Sequence, residues 1–339
     1  MKKSAYSIAV VGATGLVGQE ILRLLDERRF PVAALQLYAS LRTAGDELRC
    51  GGVSARVELL DTARFDGTDL VFVAAGEQVS AEWVPRATDA GAVVIDTSQL
   101  FAGDADVPLI VPEVNADDLA EYGQRGLVAS PDAAAIAMSI VLKPLHTAGV
   151  LKRVVASIFE PVSSAGRAGI EELQQQTVEL MSGRSVEPAL FARRIAFNLI
   201  PQSGEFLGGG ASRDEQQTKD ALRRLLDEPE LGISVTRVRA PLFYGSAISM
   251  NVETADGMTA ADARDGLRAA PGILLQDDLT TASYPTPVDA VGQDAICVGR
   301  IRADEAANVL DLWIVFDNVR KGSAANAVQI AELLIRDYL

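Results

Sequence analysis

Short apolar runs and helical stretches alternate from the start of the chain to its middle. Residues 7–11 are β-branched and aliphatic, as a buried strand requires, and 35–39, 70–74, 92–95, 107–111 and 127–129 repeat that signature. Helical spacing over 19–25, and over a stretch ending at Ala90 that Ser80 is placed to cap, separates several of these runs. Strand–helix alternation of this kind predicts an α/β domain with a Rossmann-like, doubly wound parallel sheet.

The last of these runs stops at Ser130-Pro131, where an Ala-rich helical pattern begins and continues through Leu142. Pro131 suits a first helical turn, because its missing N–H has no partner to lose there. A strand-to-helix joint aims backbone N–H groups and the positive helix end into a cleft, a common place for a nucleophile. This joint offers Asp132 followed by Ala133, Ala134 and Ala135.

Beyond the joint the rhythm changes. Residues 153–163 read as a long strand, 164–166 as a turn and 171–181 as a helix, and a Gly-rich loop spans 201–212. An amphipathic helix follows over 214–226, then period-2 strands at 234–240 and 247–253, and Thr259 with Asp262 resembles a capping box. Strands at 295–301 and 309–316 precede a final helix over 323–337. Successive strands with helices to one side predict a second, α+β domain with a largely antiparallel sheet, one face of which is left for a second subunit. The expected division is 1–131 with 320–339 as the nucleotide domain and 132–319 as the substrate-like, dimerisation domain.

Composition narrows the choice. The 339 residues allow two ordinary domains, and a content of 48% hydrophobic and 23% charged residues suits a water-soluble chain. A formal charge of −15 argues against nucleic acid or an anionic membrane as partner. The start carries no apolar signal core, and no apolar run approaches membrane-spanning length. Two cysteines, Cys50 and Cys297, and one histidine, His146, exclude a disulfide framework, indicate no metal site and fit a cytoplasmic location.

Candidate chemistry begins at the first strand's end, where Gly12, Gly15 and Gly18 stand in GxxGxxG spacing before a helix. Glycine lets the backbone approach a pyrophosphate, and the helix start supplies N–H groups and a favourable dipole. About 20 residues on, where an NAD site carries an acid for the ribose 2′-OH, this chain has Ser40 and Arg42. A hydroxyl and a guanidinium without a carboxylate favour the 2′-phosphate of NADP. The alternative is that Arg42 is a solvated surface residue.

Several motifs together resemble the aspartate-semialdehyde dehydrogenase family. They are the glycine turn, Val107-Pro-Leu-Ile-Val-Pro-Glu-Val-Asn115, Leu142-Lys-Pro-Leu-His146, Tyr284-Pro-Thr-Pro-Val-Asp-Ala-Val-Gly292, Val298-Gly-Arg-Ile-Arg302 and Asp317-Asn-Val-Arg-Lys-Gly322. The resemblance spans the whole chain in order. It implies an NADP-binding domain completed by the C-terminal helix, a homodimer, and cofactor groups at Gly12, Thr14, Gly15, Leu16, Val17, Gly18, Ser40, Arg42, Ala75, Gly76 and Asn318. Members of that family hold the acyl group on a cysteine thiolate, with phosphate as acceptor and a histidine as base.

On this chain the family's Asn-Cys pair falls on Asp132 and Ala133, its active-site glutamine on Glu160 and its histidine on Ser246, while its substrate-binding arginine is present as Arg239. The phosphate-binding arginine falls on Ala102, and the Glu-x-Lys motif on Glu215-Gln216-Gln217. Two cations lost and two acids gained make a formal change of −4 in the cleft. The resemblance therefore implies a Usg-type paralogue, without the catalytic cysteine and histidine and with no catalytic residue to nominate. Cys297 reads as a small core residue and Cys50 as a solvated or half-buried thiol. His146 lies about 20 Å along the helix from Ala133 and reads as structural.

Two functions fit these residues. One is a family member that binds NADP and dimerises without thioester chemistry. The other is an NADP-dependent oxidoreductase that acts on a small carboxylate or semialdehyde by direct hydride transfer. There Arg239 binds the carboxylate, and Glu160 or Asp132, its pKa raised by crowding, serves as acid or base. The competing reading of Arg239 is that it only neutralises those two carboxylates.

Overall fold

Residues 6–11 alternate between neighbours on two sides, and they form the central strand of the first unit, β1 (Tyr6–Val11). The structure is a computed structural model that describes residues 3–255, 257–306 and 308–339. Met1 and Lys2, where no leader is expected, lie outside the described residues. The chain divides into one unit made of the residues up to Asp132 with Ser323–Leu339, and a second made of Ala133–Gly322.

In the first unit β1 leads through α1 (Leu16–Glu27) to β2 (Val32–Ala39), then to the hairpin β3 (Glu47–Cys50) and β4 (Val53–Leu59). β5 (Leu70–Val73), α2 (Glu77–Asp89), β6 (Val93–Asp96), the short α3 (Pro112–Asn115) and β7 (Leu127–Ala129) follow. The strand order is β3-β4-β2-β1-β5-β6-β7, parallel except for the β3–β4 edge pair. Ile8 and Val10 of β1, Leu24 and Leu25 of α1, and Val328, Ala331 and Leu334 of the C-terminal helix (Ala325–Asp337) share one core. Burial of that helix face holds the end of the chain in the unit where the chain began.

Three local expectations change. The hairpin was not foreseen because its exposed, charged alternation has little apolar signal. Residues 107–111 are buried but form no strand, only a bridge from Leu109 to Ala129. Ser80 does not cap α2; Gly76 does, and Ser80 is buried inside the helix, where its hydroxyl donates to Asp96 Oδ1 at 2.7 Å.

The second unit opens with α4 (Ala133–Gly149), so Pro131 stands before the first turn rather than in it, and the helix outruns the expected end at Leu142. β8 (Leu151–Glu160), α5 (Gly166–Met181), α6 (Arg213–Leu226), β9 (Gly232–Arg239) and β10 (Ser246–Thr254) come next. Then come α7 (Ala260–Ala269), β11 (Ile273–Leu275), the short α8 (Pro287–Ala290), β12 (Ile296–Ala303) and β13 (Val309–Phe316). The sheet order is β11-β12-β13-β10-β8-β9. Its centre is antiparallel, as expected, but β11–β12 and β8–β9 pair in parallel. Residues 161–231, with α5 and α6, form the long crossover that a parallel β8–β9 pair needs. The Thr259–Asp262 capping box forms at α7 as the sequence suggests.

Asp96 ends β6 almost fully buried and accepts hydrogen bonds from Ser80 and, at 2.7 Å, from Ser98. Burial, only partly offset by those bonds, raises its pKa above the ordinary carboxyl range. The folded state therefore holds this proton more tightly than the unfolded chain does. Its contribution to stability is full below the unfolded pKa and is lost as pH rises to the raised folded value. Asp96→Asn should remove that part of the pH dependence while keeping partners for both serines; urea unfolding midpoints across the acidic range check it.

Candidate functional site

The candidate site of the first unit lies at the reversal point of the parallel sheet. From β1 the chain builds outward to β2 and β4, then returns to add β5 on the other side of β1. In open α/β sheets the crevice beyond the strand ends at such a reversal takes the ligand. The turn after β1 and the turn after β5 both open there. Gly12 has φ +82°, and a Cβ at this position would stand 2.4 Å from the carbonyl oxygen of Ala74. A Cβ on Gly18 would stand 2.2 Å from Gly12 O. Only glycine fits these two positions, and the pinched turn brings the start of α1 against the strand ends.

Gly15 is the N-cap of α1, so the N–H groups of Leu16, Val17 and Gly18 belong to the first turn, which has no intrahelical acceptors for them. Ala75 and Gly76 provide a second strand-to-helix turn, with Gly76 capping α2. Thr14 Oγ1 is 2.7 Å from Thr43 Oγ1, which ties the glycine turn to the loop carrying Ser40 and Arg42. Ser40 and Arg42 follow β2 directly; Ser40 is exposed and its carbonyl accepts from the N–H groups of Thr43 and Ala44. The backbone donors and the cradle that a Cβ would fill suit a pyrophosphate. Asn318 belongs to the second unit, where it is buried. Its Oδ1 accepts from Gly245 N–H at 3.2 Å, and its Nδ2 donates to Ser163 Oγ at 3.0 Å.

The second unit has its own candidate site, a charged cluster where β9 lies beside β8. Register sets Glu160 opposite Arg239, and Arg237, two residues back on β9, shares that face. The sequence reading passed over Arg237. Its Nε donates to Glu160 Oε1 at 2.6 Å and its Nη2 donates to the same oxygen. Its Nη1 reaches Thr218 Oγ1 at 2.9 Å and the Asp214 carbonyl at 3.3 Å on α6. Glu160 and Arg237 are both buried. Glu160 Oε2 accepts no hydrogen bond, and Arg239 Nη2 stands 3.8 Å from it.

Burial alone would raise the Glu160 pKa, but the charges of Arg237 and then Arg239, with the Arg237 hydrogen bonds, outweigh it and hold the carboxyl below its ordinary range. This corrects the expected acid or base with a raised pKa. The charge at Glu160 is paired with Arg237 and does not stand open in the cleft. Glu215 is committed as well: Oε2 accepts from Ser212 N–H at 2.8 Å in the α6 capping box and Oε1 from Arg237 N–H at 3.0 Å. Arg239 helps to neutralise Glu160, as one expectation held, and makes other contacts besides. Its Nη1 donates to Ser164 Oγ, its Nη2 to Ser203 Oγ at 3.3 Å, and its guanidinium carbon lies 5.4 Å from the centre of the Phe191 ring.

At the joint itself the residues are mostly small. Asp132 is half-buried. Ala133 opens α4 and packs so tightly on Gly322 that a Cβ on the glycine would come within 2.7 Å of the alanine methyl. Ser246 is buried at the start of β10. Both cysteines are free and buried, which corrects the solvated or half-buried expectation for Cys50. Burial, with Asp26 nearby, pushes the Cys50 thiol up to about 12; burial, then the charge of Asp289, raises that of Cys297. His146 accepts from Leu151 N–H through Nδ1 at 3.3 Å and lies 3.2 Å from Glu228 through Nε2, fixing the far end of α4. Among the described residues, no cluster of three or more His, Cys, Asp or Glu is arranged to hold a metal, and no helix is long and apolar enough to cross a membrane.

A glycine turn at a sheet reversal, joined in one chain to an α+β unit with a buried arginine cluster, defines a two-domain nucleotide-binding protein of the dehydrogenase type. The chain belongs to the aspartate-semialdehyde dehydrogenase family. Residues 7–122 match the semialdehyde dehydrogenase NAD binding domain and residues 142–321 match the semialdehyde dehydrogenase dimerisation domain. Aspartate-semialdehyde dehydrogenase 2 of Vibrio cholerae is 41% identical over 335 residues, with 98% of each chain covered. The Aquifex aeolicus aspartate-semialdehyde dehydrogenase is 40% identical, with 98% of this chain and 99% of that protein covered. The crystal structure of the Vibrio cholerae aspartate semialdehyde dehydrogenase II complexed with ASA superposes with a TM-score of 0.96 at 40% identity, covering 99% of this chain and 100% of that one.

Removing the Arg237 guanidinium would leave Glu160 buried and short of its main partner. Arg237→Met should destabilise the fold by roughly 3–5 kcal/mol at neutral pH, whereas Arg237→Met with Glu160→Gln should recover most of that loss. Because the folded pKa of Glu160 is depressed, the stability this pair contributes is present above the unfolded carboxyl pKa and is lost as pH falls through the folded value. Chemical denaturation of wild type, single and double variants at neutral and acidic pH measures both effects.

Proposed function

We propose that this family member binds NADP and dimerises through its second unit but does not carry out the thioester chemistry of its relatives. The observation that carries the reading is the start of α4, where Ala133 stands at the position the family resemblance gives to the thiolate. The two thiols of the chain are buried elsewhere, with pKa values raised away from the reactive thiolate form. The sole histidine is tied to Leu151 and Glu228 at the opposite end of the same helix. A cytoplasmic location accords with the two free cysteines.

Preference for NADP over NAD is supported by the end of β2, which presents Ser40 and Arg42 where a carboxylate would select a ribose hydroxyl. The groups at the glycine turn would hold the pyrophosphate through Gly12, Thr14, Gly15, Leu16, Val17 and Gly18, with Ala75 and Gly76 on the next turn of the same sheet; the assignment of Asn318 rests on the family resemblance alone. When bound, NADP supplies or accepts hydride. A second reading, direct hydride transfer to a small carboxylate, is favoured by one observation: Arg239 lines a pocket. In that reading Arg239 orients the substrate, Glu160 tunes the arginine pair and does not exchange a proton, and Asp132 remains the acid–base candidate.

NADP should raise the melting temperature by mass action, about 2.7 kcal/mol of stabilisation at a hundredfold excess over Kd, and NAD should raise it less. Arg42→Glu should weaken NADP roughly tenfold or more with little effect on NAD. Aspartate semialdehyde should give no phosphate-dependent NADP reduction, in wild type or in Ala133→Cys, because one thiol does not restore the base and phosphate groups. Phosphate-dependent turnover by wild type overturns the loss of thioester chemistry, and the absence of any NADP-induced shift overturns the cofactor assignment.

A further inference from the structure

The loop after β2 is fastened at two points. Thr43 Oγ1 lies 2.7 Å from Thr14 Oγ1, which holds the part carrying Ser40 and Arg42 beside the glycine turn. Farther on, Gly45 N–H donates to Val57 O at 2.8 Å and Val57 N–H donates to Asp46 O at 2.7 Å, which lays the end of the loop along β4. β4 pairs in parallel with β2, so this loop stands at the carboxyl edge of the sheet, where the crevice opens.

Arg56 precedes Val57 on β4. Val57 belongs to the core with Leu37, so the period of two turns Arg56 out to solvent. Its side chain runs back to the loop: Nη2 lies 3.6 Å from the place a Cβ would take on Gly45, a residue with φ +105° and no side chain to hold the guanidinium off. A turn in which the Ser40 carbonyl accepts from Thr43 and Ala44 N–H folds residues 40–44 together. Residues 42–45 thus carry one guanidinium at their start and have a second against their end. Among the described residues neither Arg42 nor Arg56 makes a hydrogen bond or an ion pair, although Glu47 stands opposite Arg56 in the hairpin register.

Two cations on one short loop repel unless an anion is shared between them. A phosphate monoester suits that place, because it carries roughly −1.5 to −2 charge at neutral pH and offers three acceptor oxygens, more than one guanidinium covers. We propose that Arg56 is a second cation of the cofactor site and takes the 2′-phosphate of NADP from the β4 side of the loop, together with Ser40 and Arg42. The inference rests on the NADP reading of the first unit and deepens it: discrimination against NAD comes from β4 as well as from the end of β2. A contact confined to the 2′-phosphate leaves the pyrophosphate and nicotinamide untouched, so its loss weakens NADP and not NAD.

The test is isothermal titration of the full chain with NADP, NAD and adenosine 2′,5′-bisphosphate at low and at physiological ionic strength. Arg56→Ala should weaken both 2′-phosphorylated ligands roughly five- to tenfold and leave NAD unchanged, and Arg56→Lys should lose less. The salt dependence of NADP binding should be shallower in Arg56→Ala than in wild type. Arg49→Ala removes the same charge from an exposed position farther along the hairpin and should leave NADP binding unchanged. Unchanged NADP binding in Arg56→Ala, an equal loss of NAD, or an equal loss of NADP in Arg49→Ala each overturns the inference while the cofactor reading stands. Wild type that binds NADP no better than NAD overturns the NADP reading itself, and this inference with it.

Discussion

The second unit depends on one buried ion pair. Glu160 at the end of β8 and Arg237 on β9 are drawn together by a parallel register, and each is inside the protein. An unpaired charge at either position would cost several kcal/mol. The pair spreads its effect through Arg237: the guanidinium fastens α6 through Thr218 and the Asp214 carbonyl, and the Arg237 backbone N–H donates to the same Glu215 that caps α6. One charged contact thus links the β8–β9 strand pair to the start of α6.

That contact changes the chemistry of the cleft. A count of charges along the chain makes the site more acidic than its relatives' and unfavourable to anions. In three dimensions the acid added at Glu160 is paired with Arg237, and Glu215, which that count leaves unchanged, is held by backbone N–H groups. Charge in a site is decided by pairing distance, not by composition, because Coulomb energy falls with separation and rises with burial.

The nucleotide unit works by a different constraint, close backbone approach. Gly12 and Gly18 are confined by carbonyl oxygens that leave no room for a side chain, and this forces the start of α1 toward the sheet reversal. The reversal in turn sets the α2 start, at Gly76, beside the same crevice. Steric exclusion here and electrostatic pairing in the second unit solve the same problem, fixing polar groups at strand ends.

Much of this was legible in the residues themselves. Apolar period and glycine spacing identified β1, β2, β5, β6, β7, the phosphate-type turn and the α+β character of the second unit, because burial and φ > 0 impose a local pattern on a sequence. The absence of a cysteine at Ala133 and of an acid after β2 is likewise plain from residue identity. Non-local facts were not legible. Arg237 looked like an ordinary strand arginine until β9 paired with β8, and Ser80 looked like a cap until Asp96 on another strand claimed its hydroxyl. Residues 107–111 had a strand's composition but only a single bridge to pair with. Local periodicity is written in neighbouring residues. Which distant side chain neutralises a charge or accepts a hydrogen bond is decided only when the tertiary fold closes, since those energies depend on distance and burial that no linear order contains.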